Sequence, residues 1–309
     1  MHPDAPVYPA SITTQTIDVA GFTLTALKRS AQNHQAQTRV LCVHGWLDNA
    51  ASFIPLMPYV ENAEIVAIDL PGHGHSSSLG AAGEFNFVEV ALLIPRIIDA
   101  LGWQTCHLLG HSLGGNLALV ASASAPDRIT SLMLLEAAGP PTEVAEELPE
   151  RLKKALKHRE HPEKFHPRCF EKTADAVASR LAAARMSPAS AELIVERQLR
   201  SSEDGYTWRF DSRFRHASSL YLAEEQVSAL LRSVSAPTLA VLADNGLLKS
   251  LPQMQERLKL LPDVSVEHVA GNHHMHMDDP QPTAQLIQTH LHKFSTCLLY
   301  TSPSPRDRG

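Results

Sequence analysis

The sequence predicts an α/β chain: a mostly parallel sheet flanked by helices and interrupted by one helical insertion. Short β-rich runs recur along it, each followed by a loop and a helical pattern, the mark of βαβ units. These runs read as nearly continuously apolar, as strands covered on both faces must be. Between Gly139 and about Arg215 the rhythm stops, and Lys, Arg, Glu, His and Ala take over, with prolines at 140, 141, 149, 162, 167 and 188.

In order along the chain, TIDVA and FTLTALK flank Gly21 between Thr16 and Lys28 and read as an antiparallel hairpin. The parallel strands follow as RVLCV (39–43), EIVAIDL (64–70), CHLLG (106–110), SLMLLE (131–136), TLAVLA (238–243) and VSVEHV (264–269). The insertion falls between the strand ending at Glu136 and the one starting near Thr238. It is therefore expected to lie over the C-terminal ends of the strands, where ligands of open α/β sheets bind. The organisation predicted is a core in two parts, 1–139 and 216–296, a helical cap or lid at 140–215, and a tail at 297–309. PTAQLIQTHLHKF reads as the last helix, and the stretch after it has no periodicity and is expected to be disordered and foreign to the fold.

The 309 residues are 44% apolar and 19% charged, an ordinary globular composition that excludes a disordered, collagenous or disulfide-scaffold chain. Lys+Arg number 27 against 33 Asp+Glu, a net charge of -6. Nucleic acid and anionic membrane are disfavoured as partners, because both require clustered positive charge. The longest charge-free stretch, Ala100 to Pro126, is broken by Gly, His, Ser, Gln and Asn and predicts no membrane span. No secretory signal is readable at the N-terminus, so the expected compartment is the cytoplasm. Cys42, Cys106, Cys169 and Cys297 lack paired spacing and read as reduced, buried thiols.

Gly110-His111-Ser112-Leu113-Gly114 follows the apolar run CHLL and precedes the helical NLALVASASA. A G-x-S-x-G between strand and helix is a nucleophile elbow: a sharp turn exposes the serine hydroxyl, and the glycines remove side chains that would collide there. The Leu113 N–H opens the helix and points where an oxyanion would form. A second donor is expected on the loop after Val43-His44-Gly45-Trp46, with Trp46 the candidate.

HGWLDNAASF, DLPGHGHSS, GHSLGGN and GNHHMHMDDP, in that order, resemble the α/β-hydrolase superfamily, and the HGWLDNA opening its serine-hydrolase-like branch. The resemblance covers roughly residues 16 to 295 and is weakest across the insertion. It implies an eight-stranded, mostly parallel sheet, a Ser-His-acid triad and no cofactor.

A serine hydroxyl at neutral pH needs a base to take its proton and a carboxylate to hold that base in one tautomer. The base belongs on the loop after the last strand, where His273, His274 and His276 stand. Aligned on Pro280 with the superfamily's G-H-x-x-H-x-E-x-P pattern, the catalytic position is His273, with His274 the alternative because Asn272 is one residue extra. For the acid, the commonest superfamily position falls on Gly246, which has no carboxylate. Two candidates remain open. Glu136, at the end of the preceding strand, is favoured because some haloalkane dehalogenases place their acid there; Asp244 is the alternative.

Other readings are weaker. His274-Met275-His276-Met277-Asp278-Asp279 is similar to the H-x-H-x-D-H ligand run of metallo-β-lactamase-like enzymes, but lacks the final His and any second ligand set, so no metal is expected. Asp48 reads as a loop or cap carboxylate, and Asp69 and His73 as turn chemistry. A serine at the elbow excludes haloalkane dehalogenase and epoxide hydrolase chemistry, which needs a carboxylate nucleophile. The expected protein is a serine hydrolase of carboxylic esters or related acyl compounds, with a small-molecule acyl substrate. Thioesterase, lactonase, amidase and C–C hydrolase activities share the machinery. A catalytically idle small-molecule binder on the same fold is the alternative. Substrate identity and oligomeric state are not legible.

Overall fold

A computed structural model describes residues 8–32, 38–80 and 83–295; the expected disordered tail at 297–309, with Cys297, lies outside them. Strands β1 (Ile12–Val19) and β2 (Phe22–Arg29) form the N-terminal hairpin. Its two-residue turn, Ala20-Gly21, has φ of 55° and 83°. Both being positive gives the turn a twist that matches the strands it joins.

Next come β3 (Thr38–Val43), β4 (Ala63–Ile68), α1 (Phe87–Ala100), β5 (Cys106–His111), α2 (Leu113–Ser124) and β6 (Ile129–Leu135). The insertion contributes α3 (Leu148–Glu160), β7 (Cys169–Phe170), α4 (Thr173–Ala183), α5 (Pro188–Gln198), β8 (Leu199–Ser202) and β9 (Gly205–Trp208). The core resumes with α6 (Glu224–Ser233), β10 (Thr238–Ala243), α7 (Pro252–Arg257), β11 (Val264–Val269), α8 (Met275–Asp278) and α9 (Pro280–Ser295).

The main sheet has eight strands in the order β1-β2-β4-β3-β5-β6-β10-β11. In this sheet β4, β3, β5, β6, β10 and β11 run parallel, and β2 joins β4 antiparallel. Every residue of β5 and β10 is buried, which explains their unbroken apolar sequences. β11 departs from that expectation. It lies at the sheet edge with only Val269 buried, and Ser265, Glu267 and His268 break its apolar run. One core packs α1, α2 and α6 on one face, through Ile94, Ile97, Leu117 and Val227 among others. A second packs Phe53, Met57, Ile287 and Leu291 on the other.

The insertion is not wholly helical. β7, β9 and β8 form a separate three-stranded antiparallel sheet. Its β8-β9 hairpin turns at Glu203-Asp204, and Gly205, which opens β9, sits at φ 119°. Strands of two to four residues are too short to show a period of two, so the surrounding helical composition hid them.

Candidate active site

Ser112 occupies the single residue between β5 and α2, with φ 51° and ψ -116°. Such a conformation costs on the order of 1–3 kcal/mol in a non-glycine residue and persists only where the surroundings impose it. Here they do: the Ser112 N–H donates to the Leu135 carbonyl at 2.9 Å, and its own carbonyl accepts from Asn116 N at 3.1 Å. A Cβ on Gly110 would stand 2.5 Å from the Gly115 backbone, and one on Gly114 would collide with the Val43 carbonyl. The glycines thus let α2 start against the ends of β3 and β5. As the first residue of α2, Leu113 has an N–H with no intrahelical acceptor.

Glu136 follows β6 at φ 51°, a second strained residue beside the first. Its buried carboxylate accepts from Ala243 N at 2.8 Å through Oε1, and from Leu247 N at 2.6 Å and Leu248 N at 3.3 Å through Oε2. The His273 Nδ1 lies 3.2 Å from Oε2. Burial by itself would raise the Glu136 carboxyl, but the bonds from His273 and the backbone amides outweigh it and hold it below its usual range. A Cβ on Gly246 would strike this carboxylate. The space of a residue-246 side chain is therefore taken up by Glu136, reaching in from the neighbouring strand. Asp244 is 57% exposed, with its carboxylate 3.9 Å from the Nδ1 of His268.

With Nδ1–H donated to Glu136, the His273 Nε2 keeps a bare lone pair. The ring stacks obliquely on His111, centroids 4.7 Å apart, and the His273 carbonyl accepts from His111 Nε2 at 2.9 Å. The base candidate is thus fastened to the residue before the elbow serine. No hydrogen bond joins the Ser112 hydroxyl to the His273 ring among the described residues.

Two buried histidines, neither read as more than a loop residue from sequence, shape the Trp46 loop. His44 Nε2 accepts from Leu70 N at 3.0 Å, leaving Nδ1–H to donate to the Gly45 carbonyl at 2.8 Å. His73 Nε2 accepts from Leu47 N at 3.3 Å. Burial pushes His73 down to about 3 and lowers His44, so both stay neutral and serve as fixed acceptors. Trp46 itself is half exposed, with its indole N–H on the Phe214 carbonyl at 3.3 Å. Asp69 carries more than turn chemistry. Its carboxylate caps Ala50 N and His75 N and pairs bidentately with the buried Arg197 of α5, Nε–Oδ1 at 3.0 Å and Nη2–Oδ2 at 2.7 Å.

Beneath the elbow lies a buried cluster of Asp48, His111, His274 and His276. Arg180 of α4 donates to Asp48 Oδ1, while the His274 Nε2 stands 3.3 Å and the His111 Nδ1 3.7 Å from Oδ2. Donor atoms of Asp48, His111 and His274 lie within 4.8 Å of one another, a spacing that suits a metal ion. The charges do not. Arg180 already neutralises the single carboxylate, and its Nη2 is 3.5 Å from the His274 Nε2, so a divalent cation would add two uncompensated charges to a buried site. The HMHMDD run does not converge on one point either, because Asp278 is bound to Ser187 N at 2.8 Å and Ser190 Oγ at 2.6 Å. His276 is a packing residue, tilted on Phe53 and His111, and burial holds it neutral.

Ser112, Leu113, Glu136 and Trp46 line a cleft of about 530 Å³, within the range of small-molecule sites. Its walls are mainly apolar, with Phe85, Phe87, Val90 and Leu117 from the core and Pro141, Leu220 and Tyr221 from the insertion and the chain that follows it.

The profile of the α/β hydrolase fold family matches residues 38–280. The chain belongs to that family, in its serine-hydrolase-like branch. It is 31% identical over 268 residues to a serine hydrolase-like protein of Danio rerio, covering 82% of this chain and 81% of the relative. A probable serine hydrolase of Drosophila melanogaster is 31% identical over 264 residues, 80% of this chain and 79% of that one. Among solved structures, a hypothetical protein of Pseudomonas aeruginosa superposes with a TM-score of 0.84 at 32% identity, covering 92% of this chain and 99% of that one. The family and the fold support a hydrolase. No helix among the described residues is long and apolar enough to cross a membrane.

Proposed function

We propose that the protein is a serine hydrolase of carboxylic esters or related acyl compounds, with Ser112 as nucleophile, His273 as base and Glu136 as the acid that orients it. One observation carries the reading: the Glu136 carboxylate meets the His273 Nδ1 at 3.2 Å and fills the space left by Gly246. A buried carboxylate facing one imidazole nitrogen fixes the tautomer whose other nitrogen can accept a proton. Ser112 Oγ attacks the acyl carbonyl carbon while its proton passes to His273 Nε2. The Trp46 and Leu113 amides receive the oxyanion. His273 returns the proton to the departing alcohol, leaving an acyl-enzyme, and a water activated by the same nitrogen then releases the acid.

The apolar cleft supports an acyl chain as the group held, and the absence of a charged nucleophile at the elbow leaves acyl transfer as the chemistry. The reading is of a cytoplasmic enzyme acting on a small molecule and not on nucleic acid, with 140–215 as the lid over the cleft and no bound cofactor required. An idle binder is the second reading, favoured by the unmade Ser112–His273 bond. Catalytic hydrogen bonds are commonly loose without substrate. Hydrolysis of a p-nitrophenyl ester series from acetate to decanoate tests both. Turnover that is lost in Ser112→Ala and falls about a thousandfold in Glu136→Gln, with Asp244→Asn near wild type, is expected. Tight ester binding with no turnover by the wild type would establish the binder instead.

A further inference from the structure

Asp48, read from sequence as a loop cap, touches the segments that carry Trp46, Ser112 and His273, and the insertion as well. Its own backbone N–H donates to the Gly45 carbonyl at 3.1 Å, closing the turn that carries Trp46. Its Oδ2 faces the His274 Nε2 at 3.3 Å, and His274 is the residue after His273. The same oxygen is 3.7 Å from the Nδ1 of His111, the residue before Ser112. Its Oδ1 accepts from Arg180, which belongs to α4 of the insertion. Asp48 and His274 are 1% and 3% exposed, so none of these contacts competes with solvent.

From this geometry we infer that Asp48 and Arg180 are positioning residues: through the His274 ring and the Gly45 turn they set the placement of His273 and the Trp46 amide relative to Ser112, and they make the insertion a structural part of the reacting centre. The inference rests on the acyl-transfer reading above. Burying a lone carboxylate is strongly unfavourable, and Arg180 is the cation that keeps Asp48 ionised there. Ionised, it can only accept, so it fixes the His274 ring by its Nε2–H. His274 heads the short helix α8, with Met277 N bonded to its carbonyl at 2.9 Å, so orienting this residue orients the turn that presents His273. His111 then ties the two sides together by its bond to the His273 carbonyl at 2.9 Å. Displacing a reacting group by about 1 Å is enough to slow a reaction about a hundredfold.

Asp48→Asn tests this, because the amide matches the carboxylate in shape but turns an NH₂ toward either Arg180 or His274, both donors. kcat for a short ester and the rate of fluorophosphonate labelling at Ser112 should fall together, about tenfold or more, while KM stays within about twofold. A second variant separates positioning from stability. Asp48→Asn with Arg180→Met leaves no unpaired charge, so its melting temperature should return toward the wild-type value while kcat stays low. Arg180→Lys keeps the charge, and with it the fold, but loses the planar fork; it should show an intermediate kcat. Recovery of kcat in step with melting temperature in the double variant, or an Asp48→Asn enzyme that is folded and turns over within about twofold of wild type, overturns the inference. A wild type that neither labels nor turns over defeats the acyl-transfer reading itself, a distinct result.

Discussion

Residues 173–198 and residues 145–165 belong to the same insertion, yet the first is fixed to the core by buried charge and the second lies on it with apolar side chains in water. α5 buries Ile194, Val195, Arg197 and Gln198. Besides the Arg197–Asp69 pair, Asn49 Nδ2 donates to the Ile194 carbonyl at 2.9 Å and Gly74 N to Gln198 Oε1 at 3.0 Å. α3 buries only Ala155, while Leu152 and Leu156 are 49% and 56% exposed. It is held by Arg151, which pairs with Glu143 and stacks on Tyr221 at 3.6 Å, and by an Arg159–Glu84 pair at 3.2 Å near the surface. One half of the insertion packs beneath the elbow through Arg180 and Arg197, and the other reaches the cleft wall with Arg159. On the proposed reading, stability and substrate selection fall to different halves.

The largest effect that sharpens this contrast is Arg197→Met. It strands a buried Asp69 and should destabilise by about 3–5 kcal/mol in denaturant unfolding. A loss under 1 kcal/mol would erase the distinction. Next is pH. Burial lowers His111 to about 4 and His276 well below its usual value, whereas the same rings in the unfolded chain titrate near 6.5. Below about pH 6.5 the unfolded chain binds more protons, so stability falls as the pH drops toward 4, by about 1.4 kcal/mol per unit for each such ring. Melting temperatures at pH 7.5 and 5 in wild type and in His276→Phe would show it, with a smaller drop in the variant. The smallest effect belongs to α3: Leu156→Ser should change stability by no more than about 0.5 kcal/mol. Leu220→Ser, at the cleft mouth, should raise KM for decanoate more than for acetate, and equal shifts would remove the entrance from substrate selection.

The strands and the elbow were legible because their signals are local: unbroken apolar runs where both sheet faces are covered, and a glycine-framed serine between strand and helix. The end of β6 was legible too, since the missing side chain at Gly246 already asked where a carboxylate would come from. The choice between Glu136 and Asp244 was not, because it depends on which strand end faces the His273 loop, a matter of sheet order. Asp69 and Asp48 were underestimated for one shared reason. Their partners, Arg197 and Arg180, lie more than a hundred residues away in an insertion whose path no sequence period reveals. The short sheet of β7, β8 and β9 was lost to length alone.

Intact-mass spectrometry of the protein with a fluorophosphonate tests the central claim most directly. The account predicts one adduct per chain, on Ser112, absent in Ser112→Ala, formed about a thousandfold more slowly in Glu136→Gln and at the wild-type rate in Asp244→Asn. An unlabelled wild type, or a Glu136→Gln variant that reacts as fast as the wild type, would contradict it.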